Sequence, residues 1–382
     1  MIKKIFIISL ILLFLATIFF GVYNFVFRDV EQLKISNSEK KEKSKDNKEV
    51  VNSDIQNIKA ITDSFVISPT IDKDGKKIRF YDKNDGNVKE IDFDGATEKV
   101  IFENNLNNLV DIKWSPNKSF VISSFKNDGG IKFYLYSYIT MKSVELKNEI
   151  DSVVWGNQGD KIIYKHFNNE NKERSLNVAD PNGKNWKKLV SLEEKLKKIS
   201  IVQVPQTLFV SFWNYPDAFQ ETILNKINII DGGDTENILK GKFGANYLWS
   251  PDGRNFLVSS VNKGGSDLKL EIGSADGLTF KDLNIPTITD KCIWTKDGSS
   301  VLCALPADIP EEAVFPNEYQ NRKILTKDTF WKINIESGKK ERIVELQDFN
   351  EDQDASNLFL SPKEDILFFI NRHNNKLYRI IL

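Results

Sequence analysis

The chain has 382 residues, 40% of them hydrophobic and 11% aromatic, which is enough to bury one large core or two ordinary ones and excludes a small stapled domain. Its 53 Lys and Arg nearly cancel 54 Asp and Glu, and a net charge of -1 offers no general field for nucleic acid. Two Cys and two His cannot supply the repeated ligand spacings of a zinc or iron-sulfur protein, and they confine histidine chemistry to His166 and His373.

The first element in the chain is an uncharged run from Ile5 to Phe27, dominated by Ile, Leu, Phe and Val. About 20 apolar residues cross a hydrocarbon layer as a helix, so residues 1–28 are expected to be a transmembrane signal anchor that enters the lipid bilayer through residues 5–27. Ala16 stands alone without the small-residue pattern of a cleavage site, and no Cys follows that could accept a lipid. Lysines flank the run on both sides, but a short tail carrying Lys3 and Lys4 is the common form of such anchors, and large domains are translocated largely regardless of charge. The bulk of the chain is therefore expected outside the cytoplasm. Residues 29–47 include the polar run Ser36 to Asn47, which buries too little apolar surface to fold, and read as a flexible tether with a reach on the order of 25 Å.

From residue 48 to 382 short runs rich in Val, Ile, Phe, Trp and Tyr alternate with Asn, Asp and Gly clusters, an all-β pattern. One unit recurs: an apolar strand ending in Trp or a substitute, then Ser-Pro or a relative of it, a tight turn, and a second apolar strand. Its copies begin at Ile67-Ser68-Pro69, Trp114-Ser115-Pro116, Trp155-Gly156-Asn157, Trp249-Ser250-Pro251-Asp252-Gly253, Trp294-Thr295-Lys296-Asp297-Gly298 and Leu360-Ser361-Pro362. The spacing is roughly 40 to 50 residues, and the doubled gap between Gly156 and Ser250 places a degenerate copy near Val204-Pro205. Seven copies of four strands predict a seven-bladed β-propeller, each blade covering its neighbour's apolar face. The last blade keeps only three strands, and Glu49 to Asn52 is expected to supply the fourth and close the ring.

The repeat resembles that of TolB-like β-propellers, which are related to the WD-type propellers, and Trp249 to Gly253 carries the motif best. The resemblance implies an extracytoplasmic binding or scaffolding propeller over residues 48–382. It implies no chemistry: the Gly-x-Ser-x-Gly elbow of propeller peptidases is absent, and no α/β domain fits in the tether.

Cys292 and Cys303 flank Asp297-Gly298 symmetrically in the first hairpin of blade six and are expected to form a structural disulfide in an oxidising compartment. Trp114, Trp155, Trp249 and Trp294 recur at one position and read as packing between blades. In a propeller, the loops from second to third strands and from fourth to first strands share one face, here called the top. Two of these loops carry aromatic residues that suit a partner: Trp213, Tyr215 and Phe219 in blade four, and Phe315 and Tyr319 in the insertion from Pro306 to Asp328 of blade six. A third holds Asp348, Glu351, Asp352 and Asp354, whose spacing departs from a known calcium loop. No metal, cofactor or nucleic acid is expected, and neither His lies near a recognisable nucleophile motif. The function expected is a non-enzymatic, membrane-tethered module that binds a protein, peptide or glycan partner. A carbohydrate-active hydrolase or lyase using top-face carboxylates is the alternative.

Overall fold

A computed structural model describes residues 57–382 apart from Asn105 and Asn148. The anchor, the tether and the Glu49 to Asn52 strand expected from the sequence lie outside the described residues. Among the described residues, no helix is long and apolar enough to cross a membrane.

The described chain is an all-β, propeller-like fold of six antiparallel sheets. Five sheets have four strands and one has seven. The seven-stranded sheet contains two of the repeats, because the long strand Glu236–Trp249 ends one four-stranded unit and begins the next. The changeover is visible in the register, which shifts between Phe243 and Asn246, beside Gly244 at φ +57°. Counted by repeat, unit one runs from Val66–Ile71 to Glu98–Phe102 and unit two from Leu109–Trp114 to Lys142–Glu145. Unit three follows, from Ile150–Trp155 to Lys187–Leu192. Units four and five share the seven-stranded sheet, from Ile199–Gln203 to Phe280–Asp282, and unit six runs from Cys292–Trp294 to Lys340–Arg342.

Unit seven contributes Ala355–Leu360, Ile366–Asn371 and Lys376–Ile381, and its outer strand comes from the other end of the described chain. That strand is Ile58–Ala60, with Ile58 opposite Ile380 and Ala60 opposite Tyr378. Closure by an N-terminal strand holds, but the expected segment is corrected: the position is filled several residues later in the chain than Glu49 to Asn52. From Ile58–Ala60 the chain needs only residues 61–65 to reach the first strand of unit one, so the closing strand sits where the connection is short, and Ile58 within it and Ile61 just after it are both buried.

The core lies between units rather than within one. Ile163 and Leu176 of unit three pack with Val210 and Phe212 of unit four; Leu302 and Phe330 of unit six pack with Leu367 and Phe369 of unit seven. Phe80 and Ile91 of unit one meet Phe368 and Ile370 of unit seven, which completes the cycle. The recurring tryptophans serve these joints. Trp114 Nε1 donates to the Ser68 carbonyl of unit one at 2.8 Å, Trp155 Nε1 to Lys113 of unit two at 2.8 Å, and Trp294 Nε1 to Leu248 of unit five at 3.2 Å.

The repeat's Ser has a structural task as well. Ser250 Oγ donates to Asp252 at 2.6 Å and accepts from the Asn255 amide at 3.0 Å, tying off the turn. Thr295 does the same with Asp297 at 2.7 Å and the Ser300 amide at 3.1 Å. At Gly253, φ is +69° and an added Cβ would stand 2.3 Å from the Pro205 carbonyl oxygen, so the turn needs glycine both for conformation and for space. Cys292 and Cys303 are directly opposed across the first hairpin of unit six and are disulfide-bonded.

Replacing Cys292 and Cys303 with Ala removes a short-loop crosslink and should lower stability by about 3 kcal/mol in urea unfolding; no change in midpoint would show that the bridge contributes nothing. The Thr295 hydroxyl, and behind it the Ser299 amide and hydroxyl, hold the Asp297 carboxyl down at about 2; the Ser250 and Ser274 hydroxyls hold Asp252 and Asp276 below the usual range in the same way. Carboxylates depressed on folding stabilise above their unfolded pKa. The thermal midpoint should therefore fall as pH drops from about 4 to about 2, and Asp297→Asn should flatten that slope.

Candidate binding site

The top-face loops meet, but they do so by burying most of their aromatic residues. Phe315 is 1% and Tyr319 5% exposed, stacked on one another at 5.9 Å, and Trp213 is 4% exposed with its indole donating to Asn246 Oδ1 at 3.0 Å. These three rings are packing residues, which corrects their expected place on an open partner surface. Tyr215 at 46% and Phe219 at 58% remain open. The insertion folds down because its short helix, Asn317–Gln320, is bound on several sides. Asn317 accepts from the Ala218 amide at 2.8 Å and donates to Asp217 at 3.1 Å in unit four, and the Phe315 amide donates to the Gly265 carbonyl at 3.1 Å in unit five.

Beneath the insertion lies an ion cluster that the sequence reading passed over. Lys291 Nζ donates to Asp328 at 2.5 Å, to Asp354 at 2.7 Å and to the Ala355 carbonyl at 3.1 Å, with no side-chain exposure on any of the three charged partners. Arg372 reaches Asp354 at 3.3 Å, donates to the Tyr319 carbonyl at 2.8 Å and lies 3.8 Å from the centre of the Tyr319 ring. Burial pushes the Asp328 carboxyl up despite Lys291. Burial acts on Asp354 too, but Lys291, Arg372 and Thr326 together hold it below the usual range. Two cations and two carboxylates compensate one another, so the cluster locks unit six, unit seven and the insertion together.

The remaining acids of the expected site point to separate partners. Asp348 accepts from Asn57 at 3.5 Å, Glu351 from the Tyr378 hydroxyl at 2.5 Å, and Asp352 pairs with Lys327 at 3.0 Å. His373 Nε2 lies 3.1 Å from the Thr326 carbonyl. His166 sits 3.3 Å from Glu149 without hydrogen-bond geometry, and burial, with Lys147 nearby, lowers its pKa.

A cleft of about 440 Å³ opens elsewhere, between units one and two. Strand alternation builds it: on Gly130–Ser137, Phe133 and Leu135 turn into the joint with unit three, while Tyr134 and Tyr136 turn towards unit one and line the cleft. Tyr138 continues the series just past the strand, and Tyr81, Phe102 and Phe125 complete the aromatic wall. The fully buried core of this joint is small, consisting of Tyr81, Val88, Ile112 and Val121, with half-buried rings around it. Trp114 stacks on Tyr138 at 13°, whereas Tyr136 meets Tyr138 at 87° and, beside them, Phe125 meets Tyr134 at 76°, so the rings present edges as well as faces. Tyr81 and Tyr138 share a hydrogen bond between hydroxyls at 2.7 Å. Burial, above all other causes, pushes the Tyr81 phenol up to about 12 and the Tyr138 phenol far above its usual value, so both stay protonated and neutral. Sequence reasoning missed this site, although the spacing of Tyr134, Tyr136 and Tyr138 was a visible signal of one aromatic face.

No family model matches the chain, and no curated protein matches it. Among solved structures, one described as oligogalacturonate lyase in complex with manganese aligns over 85% of this chain and 93% of its own at 14% identity, with a TM-score of 0.63. The β-propeller domain of Cps50 (Swd1) from Myceliophteria thermophila aligns over 85% of this chain and 99% of its own at 12% identity, with a TM-score of 0.52. TolB from Acinetobacter baumannii aligns over 72% of this chain and 62% of its own at 12% identity, with a TM-score of 0.45. The expected β-propeller fold is thus met by the lyase and Cps50 alignments, and at these identities the likeness is one of fold. Manganese belongs to the lyase structure; among the described residues here, no group of three or more His, Cys, Asp or Glu is placed to hold a metal ion.

Lys291→Met should leave Asp328 and Asp354 buried with Arg372 as their sole cation and lower stability by about 3–5 kcal/mol in urea unfolding. Adding Asp328→Asn and Asp354→Asn should restore much of that loss. A single variant as stable as the parent would show that the cluster does not lock the insertion.

Proposed function

We propose that the chain is a seven-bladed β-propeller, held outside the cytoplasm by a helix over residues 5–27, that binds or scaffolds a partner in the cell envelope and performs no catalysis. The cleft between units one and two carries this reading. A concave site with several aromatic rings, a few neutral polar groups and phenols that stay protonated is built to hold a ligand, because it offers no group that exchanges protons near neutral pH. The tether and anchor support the location: residues 29–47 would keep such a site within tens of ångströms of a bilayer.

The alternative of a propeller hydrolase or lyase needs convergent carboxyl groups facing a pocket. Asp328 and Asp354 are clamped by Lys291 with no exposure, Asp348, Glu351 and Asp352 are engaged with three different partners, and Glu145, Glu149 and Asp151, which line a second cavity, are held by Lys132, Asn169 and Lys165. The arrangement favours binding over glycosidic chemistry.

The test is crosslinking of the full-length protein in its native envelope, comparing the parent with Tyr134→Ala/Tyr136→Ala. Recovery of the crosslinked partner should fall at least tenfold while the thermal midpoint stays within a few degrees. Recovery equal to the parent would remove the cleft from the proposed function.

A further inference from the structure

We infer that the cleft between units one and two takes an uncharged sugar chain, with pyranose rings laid against Tyr134 and Tyr136; this rests on the reading of the cleft as the binding site. Its charge character comes first. In a chain with 28% charged residues, no side chain that lines the cleft carries a charge. An ionic ligand, such as a uronate or phosphate polymer, would lose hydration there with no counter-charge to replace it. The neighbouring Lys132 is neutralised across the sheet by Glu145 at 2.9 Å and does not line the site.

The polar groups then narrow the class. The Tyr134 hydroxyl, the side-chain amides of Asn104, Asn107 and Asn127, and the Ser143 hydroxyl line the cleft and pair with no described residue. A purely aliphatic ligand would cover these donors and acceptors without satisfying them. Sugar hydroxyls both donate and accept, as do amides and phenols, and can meet them in either sense. The rings supply the complementary half. The faces of β-linked, equatorially substituted pyranoses carry axial C–H groups that lie well on an aromatic face, and the steep angles between Tyr136 and Tyr138 and between Phe125 and Tyr134 turn ring faces in more than one direction. The volume of about 440 Å³ falls within the roughly 300–1,000 Å³ of small-ligand sites, so it would hold a short stretch of a chain that continues into solvent.

Full-length protein titrated calorimetrically with cellohexaose and with chitohexaose tests the inference, with oligogalacturonate as the acidic control. At least one neutral hexamer should bind saturably, with affinity unchanged between about 0.05 and about 1 M salt because no ion pair is involved. Tyr136→Ala should weaken it about tenfold, and Tyr136→Phe, which keeps the ring, should weaken it less. Binding of oligogalacturonate alone, binding of neither neutral hexamer, or a neutral affinity untouched by Tyr136→Ala overturns the inference. If the hexamers fail while Tyr134→Ala/Tyr136→Ala still abolishes the envelope crosslink, the ligand class is wrong and the site stands; if the crosslink also survives, the site itself is wrong.

Discussion

Every sheet in this protein depends on its neighbours to keep water from its apolar faces. A four-stranded sheet with Phe80 and Ile91 on one strand pair cannot be stable alone, and those residues are buried only because Phe368 and Ile370 come round from the far end of the chain. The cycle therefore hinges on a short piece of backbone, Ile58–Ala60, paired with Lys376–Ile381. That pairing covers the outer edge of the last sheet and joins the two ends of the described chain, which raises the cost of opening any joint.

The joints are not equivalent. Between units six and seven, Phe330 and Phe369 pack with Leu302 and Leu367, all at most 2% exposed, and a buried cluster of two cations and two carboxylates adds a polar lock under the insertion. Burying four charges brings little net stability over an apolar alternative, but it specifies one arrangement of unit six, unit seven and the insertion, since any other leaves a charge without its partner. Between units one and two the partners are rings, which meet by edges and faces and leave a cleft. Apolar packing at one joint and an aromatic opening at another are both answers to the same need to cover sheet faces.

On the proposed reading, recognition takes place at a joint between units. The insertion that looked like a docking surface spends Phe315 and Tyr319 on its own attachment, through Asn317 to unit four and Arg372 to unit seven. Its role is to brace four units, and of the aromatic residues in it and in the neighbouring loop of unit four, Tyr215 and Phe219 stay accessible. The tyrosine cleft, by contrast, sets polar side chains that have no side-chain hydrogen bond among the described residues next to half-buried rings, the combination that the proposed ligand requires.

The amino-acid sequence alone determined the all-β class, the repeat and its punctuation, the opposition of Cys292 and Cys303, and the placing of the tryptophans between units, because strand alternation, turn chemistry and spacing are local and leave a linear trace. Tertiary structure alone decided which segment closes the ring, that Phe315 and Tyr319 face inward, that Lys291 meets Asp328 and Asp354, and that a cleft opens beside Tyr134 and Tyr136. Those outcomes depend on which residues of distant segments come to share a volume, and a period of two or of forty residues records the direction a side chain takes from its own strand without recording what waits on the other side.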